Sequence, residues 1–224
     1  MVRRKKPLFL IGVVAALLLL CTAQPASAQV SPVPDRDKTW QTVTGITLAA
    51  GVATQLFMPR TFYADPEVTV GWKGRWHISV LAPIMTLTAL AALNEASLKN
   101  AFGSDRPGCD ATNSGLKNCE SFGLFSTHTY GAFAALGHGT AVFLFDTTKW
   151  SNGRVNGFAL VGNVAAPLVL GTFTAIGRGV GNFESTGQIL GSGGIGLALG
   201  FLSGMTYSLM QRPECGYTGS LICW

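Results

Sequence analysis

Three short stretches of this chain carry side chains suited to holding a phosphoryl group. The first is Lys99, followed after six residues by Arg106 and then Pro107. Seven residues is about two helical turns, so both cations would face one way from a single helix. Pro107 would then stop that helix and turn the chain. The second stretch is Ser126-Thr127-His128, directly ahead of an apolar run. Ser or Thr at such a place caps a helix. Free N–H groups at a helix start also attract anions, and a histidine on that rim is placed to protonate a leaving alkoxide. The third is Arg178, followed by Glu184 and Gln188. Each stretch has a plainer reading by itself. Lys99 pairs with Glu95 one turn earlier, Ser126 and Thr127 only cap, and Arg178 is a solvated anchor at a membrane surface.

Taken together, their order and spacing resemble the three-part signature of the type-2 phosphatidic acid phosphatase superfamily, which includes bacterial acid phosphatases and vanadium haloperoxidases. The family pattern is K-x6-R-P, then P-S-G-H, then S-R-x5-H-x3-D. The first part is complete here as Lys99, Arg106 and Pro107. The second reads Phe125-Ser126-Thr127-His128, keeping Ser and His. The third reads Gly177-Arg178, then Glu184 and Gln188, keeping only Arg. The likeness covers roughly residues 40 to 210.

The resemblance implies a role for each residue. Lys99, Arg106, Arg178, Ser126 and the Thr127 backbone would hold phosphoryl oxygens, and His128 would be the general acid. Glu184 stands where the nucleophilic histidine belongs, and Gln188 where its orienting aspartate belongs. Loss of a covalent nucleophile can lower kcat by roughly a million-fold, about 8 kcal/mol of barrier. Glu184 is therefore expected to pair with Arg178 or Arg106, with Gln188 bonding nearby, so that the site partly fills itself. A carboxylate attack forming an acyl phosphate is the active alternative. The haloperoxidase branch uses the same missing histidine, which argues against that activity. His138 lies about 15 Å deeper than His128 on a continuous helix, and His77 about 33 Å from Lys99. Both read as core or interfacial histidines rather than substitutes.

These residues need a scaffold. The 224-residue chain is 48% hydrophobic and only 12% charged, whereas soluble domains carry roughly a quarter charged residues. Its 28 glycines also suit transmembrane helices. Five apolar stretches, Val43–Met58, His77–Leu93, Thr129–Phe145, Phe158–Ile176 and Ile189–Met210, are too long for strands. They are adequate to slightly short for crossing a bilayer. The expected fold is all-α, a membrane-embedded bundle of five to six helices, acid phosphatase/haloperoxidase-like.

The formal charge of +5 includes Arg3, Arg4, Lys5 and Lys6, and without these four the remaining 12 basic residues nearly balance 11 acidic ones. No basic face is left for nucleic acid. The four cations, the apolar run Leu8 to Leu20 and Ala26-Ser27-Ala28 make a signal peptide over residues 1–28, or an uncleaved first transmembrane helix. Residues 29–224 then form one domain. Arg60, Lys73, Arg75, Lys149 and Arg154 fall in loops that the positive-inside rule assigns to the cytoplasm. All three phosphate-binding stretches then face the periplasm from a bacterial-type inner membrane.

Four cysteines remain after the leader. They suggest the pairs Cys109–Cys119 and Cys215–Cys223, or four free thiols. Five spans would put Cys215 and Cys223 in the cytoplasm, where a disulfide would not persist. Either that pair is reduced, or the protein is a soluble periplasmic bundle. No metal-ligand spacing is present, so neither metal nor cofactor is expected. The expected ligand is a lipid phosphate or other phosphate ester. The functional readings are a lipid phosphate phosphatase or phosphomonoesterase, and a non-catalytic scaffold or head-group binder.

Overall fold

Polar caps start three of the helices where the chain leaves a loop. Asp37 accepts the Thr39 N–H at 2.8 Å. Asn156 accepts those of Phe158 and Ala159 at 2.8 and 3.2 Å. Ser126 accepts the Thr129 N–H at 3.3 Å. Such caps stabilise a helix by about 1 kcal/mol each. The computed structural model describes residues 37–57, 78–109, 119, 124–150, 153 and 155–210. The leader over residues 1–28, Arg60, Lys73, Arg75, His77, Arg154, Cys215 and Cys223 lie outside the described residues.

Among the described residues the architecture is all-helical, with five helices and no strand. Helix α1 is Lys38–Phe57. Helix α2, Ile78–Leu93, runs on through a wide π-type turn, Asn94–Leu98, into a last turn, Lys99–Phe102. Helix α3 is Thr127–Phe145 and continues into a second wide turn, Asp146–Trp150. Helix α4 spans Gly157–Val180, and α5 is Thr186–Met210. These limits fall within a few residues of the five apolar stretches. Two of the helices, Gly157–Val180 and the stretch Thr186–Leu209 of α5, are long and apolar enough to cross a membrane.

Helix α3 is the central element. Tyr130, Ala132, Ala134, Ala135, Leu136, Ala141 and Val142 are all buried along it. Leu87 of α2 packs on Ala134 and Ala135, joined by Val52 and Leu90. Helix α5 lies against α3 at backbone contact. Gly196, Gly200 and Gly204 face the carbonyls of Tyr130, Ala134 and His138 in turn, so the two helices run parallel. Small residues permit that approach. Helices α1 and α4 run antiparallel. Gly51 meets Leu170, Thr47 bonds Thr174 between hydroxyls at 2.8 Å, and Thr44 meets Gly177.

One consequence decides where chemistry can occur. With α3 and α5 parallel, α2 ends and α3 begins beside each other, since Asn94 Nδ2 donates to the Phe125 carbonyl at 3.1 Å. The end of α4 and the start of α5 join them at that same end of the bundle, through the Ser126–Ser192 bond between α3 and α5.

Candidate functional site

The link from α4 to α5 folds in a way its residues explain. Arg178 is the third residue from the end of α4. Asn182 takes the left-handed conformation (φ 58°), the Phe183 N–H reaches back to the Arg178 carbonyl at 3.0 Å, and the Asn182 N–H reaches that of Gly179 at 3.1 Å. These two bonds make a Schellman C-cap, in which Asn serves where Gly is commoner. The motif brings the residue after the cap onto the last turn, and Phe183 lies under the Arg178 guanidinium, 4.2 Å from its ring centre.

The next residue then points inward. Glu184 Oε1 accepts from Arg178 Nε at 2.7 Å and pairs with Nη2 at 2.6 Å. Its other oxygen, Oε2, accepts from the Thr129 hydroxyl at 3.2 Å. Both side chains are nearly sealed from solvent, at 5% and 1% exposure. Of the two partners expected for Glu184, it takes Arg178. Both carboxylate oxygens are engaged.

A second cluster adjoins it. Lys99 pairs with Glu95 at 2.8 Å, which is the plain helical pairing anticipated for that lysine. The Thr127 hydroxyl donates to the same Glu95 oxygen, while Asn94 Nδ2 donates to Thr127 at 3.2 Å. Ser126 caps α3, and its own N–H donates to Ser192 of α5 at 2.8 Å.

His128 stands between the clusters, half-buried at the mouth of the bundle ahead of the apolar run of α3. Burial, then the positive charge of Arg178, lower its pKa from 6.5 to about 4. Glu184 pulls it the other way, and Lys99 and Arg106 lower it further. Four of the charged groups singled out from sequence at this end, Arg178, Glu184, Lys99 and Arg106, therefore act on His128. Lys99, Arg106 and Arg178 are balanced there by Glu95, Asp105 and Glu184, so these groups carry no net charge while His128 is neutral.

One expectation needs correction. Arg106 is not on the helix that carries Lys99. That helix ends at Phe102, where Gly103 turns extended (ψ 146°), because Gly and Ser are weak helix formers and release the chain before Pro107 is reached. Arg106 rides instead on a turn. Gln188 bonds nearby, as expected. Its Oε1 accepts the Ser185 N–H at 2.9 Å, and its Nε2 donates to Ser104 and Asp105 ahead of Arg106.

The remaining expectations fall in place or elsewhere. His138 is fully buried, 3.0 Å from Ser203 through Nδ1 and 5.7 Å between ring centres from Tyr207, so it is a core residue of α3 and α5. Cys109 and Cys119 form a disulfide. Sequence reasoning missed Thr129, Ser192 and the second contact of Glu95. Ser192 gave a signal, as a lone hydroxyl inside a glycine-rich apolar run. Thr129 gave none, since it reads as the first residue of its helix.

Chemically, the arrangement sets one imidazole beside a buried arginine–carboxylate pair. No family model, curated protein or solved structure matches the chain.

Proposed function

We propose that this chain is a phosphatidic acid phosphatase-like membrane protein that holds phosphate groups at its periplasmic end without hydrolysing them. One observation carries the reading. The Glu184 carboxylate sits on Arg178 and Thr129, where the sequence motifs would seat the reacting phosphoryl group. A buried arginine without a counter-ion is costly, and the carboxylate supplies one when no ligand is bound. With both oxygens engaged it is a poor nucleophile. A neutral His128 is likewise no ready acid at pH 7, given a pKa of about 4.

Other features support the setting. The Cys109–Cys119 disulfide lies three residues past Arg106, at the same end as the site. Disulfides persist outside the cytoplasm, which favours a periplasmic orientation for that end. The apolar outer face of α4 favours a bilayer over a soluble bundle.

The test is assay and binding on the purified chain. Phosphatidate, a prenyl diphosphate and a chromogenic phosphate ester are expected to release no phosphate. Glu184→Gln, which removes the competing charge, is expected to bind inorganic phosphate about tenfold more tightly than the parent. Turnover abolished by Glu184→Ala would instead establish an active enzyme using a carboxylate. That second reading is favoured by the convergence of Lys99, Arg106 and Arg178 on His128.

A further inference from the structure

Gln188 makes two different sets of bonds. Within α5 it completes a capping box. The Gln188 N–H donates to Ser185 Oγ at 3.3 Å, and Gln188 Oε1 accepts the Ser185 N–H at 2.9 Å. That leaves its amide NH2 free to do something else. The two N–H bonds cross to the chain that follows α2, reaching the Asp105 carbonyl at 2.6 Å, Ser104 Oγ at 3.0 Å and the Ser104 carbonyl at 3.4 Å. Gln188 is buried whereas Ser104 and Asp105 are exposed. The amide is thus a fixed post and the loop is what it holds.

Arg106 comes next in that loop. On its far side the chain makes a tight turn, closed by the Cys109 N–H donating to the Arg106 carbonyl at 2.9 Å. Pro107 and Gly108 (φ 74°) fill its two central places, as a type II turn requires. Cys109 is then anchored by its disulfide to Cys119. An arginine on a free loop would lose affinity to the entropy of ordering its backbone. Here the backbone is tied immediately before and shortly after it.

We propose that Gln188 is a positioning residue for Arg106, its amide NH2 fixing the Ser104–Asp105 backbone so that the guanidinium is held ready for a phosphate group. The proposal rests on the phosphate-binding reading of the site. It also explains why an amide is suitable at this place. The two carbonyls of Ser104 and Asp105 need a donor, and a carboxylate has none.

Gln188→Glu separates the two sets of bonds. Glu keeps the capping box with Ser185 and so keeps the start of α5, but it turns an acceptor toward the loop carbonyls. In the Glu184→Gln parent, phosphate affinity is expected to fall about tenfold, and amide exchange is expected to rise over residues 103–109 but not over the first turn of α5. In an Arg106→Gln background the same change is expected to cost no further phosphate affinity, since the arginine it positions is gone. An equal loss with and without Arg106, or unchanged exchange over residues 103–109, overturns the proposal, whether or not phosphate binds. Absence of phosphate binding in the Glu184→Gln parent would instead overturn the function proposed above. If Gln188→Glu is not recovered folded, Gln188→Asn replaces it. That amide keeps the donors but is too short to span the gap, and the same three readouts apply.

Discussion

Between pH 6.5 and about 4, His128 should be the residue that most directly reports on the charges around it. Its ordinary pKa is 6.5, and burial with the positive charges of Arg178, Lys99 and Arg106 lowers it to about 4 against the opposite pull of Glu184. In that window the unfolded chain takes up a proton that the folded chain refuses. Stability is therefore undiminished above about 6.5, declines as pH falls, and bears the whole penalty below about 4. The melting temperature of the wild type is expected to fall more steeply across this window than that of His128→Gln. Parallel slopes would show that neither burial nor these cations hold the imidazole below its ordinary pKa. Much of this neighbourhood was legible from residue types. Glu184, standing where the motif places a histidine, was expected to pair with Arg178 or Arg106, and Glu95 was visible as the partner of Lys99. What was hidden depended on backbone conformation. The left-handed turn at Asn182 aims Glu184, and the break at Gly103 frees Arg106 from the helix. Gln188 reads as a displaced catalytic position in sequence. Only the arrival of residues 104 and 105 from a distant part of the chain shows what it holds.

At the scale of helices, length and apolar content were enough to find all five, because a buried or lipid-facing run of such length can satisfy its backbone only as helix. Pairing was less legible. The glycines of α5 suggested a close neighbour without naming it, and four matched positions along α3, at Ser126, Tyr130, Ala134 and His138, supply the answer. At Gly200 an added Cβ would lie 2.1 Å from the Ala134 carbonyl oxygen, a backbone atom that cannot move alone. Gly200→Ala must therefore push α5 off α3, and overpacking of this kind costs about 1–3 kcal/mol. Gly45 of α1 has open space around the corresponding position, so Gly45→Ala should be neutral or stabilise by up to about 1 kcal/mol. Thermal melts of the two variants in detergent are expected to move in different directions or by clearly different amounts. Similar losses at both sites would mean that the α3–α5 contact is not close.

At the scale of the whole molecule, the described residues bury many polar groups and turn one apolar face outward. Its interior holds Thr44, Asn94, His138, Asp146, Arg178, Glu184 and Gln188, all buried. Its outside carries Phe158, Val161, Leu168, Val169, Phe173, Ile176 and Val180 along α4, each between 48% and 61% exposed. These recur at helical spacing and form one face. Leaving seven such side chains half in water forgoes about 1 kcal/mol apiece, roughly 7 kcal/mol together. That is as large as the whole stability of a typical domain. A bilayer removes the cost, and it also accounts for the polar interior, since side chains that cannot reach water must bond to one another. The disulfide beside Arg106 adds an orientation. If the site end faces an oxidising compartment, a membrane-impermeant reductant applied to spheroplasts should reach Cys109–Cys119, and an impermeant thiol reagent should then label the chain. Carbonate-washed membranes should retain the protein until detergent is added. Release of the chain into the soluble periplasmic fraction would remove the bilayer from the account. Labelling only after the membrane is breached would turn the bundle over and put its anion site in the cytoplasm.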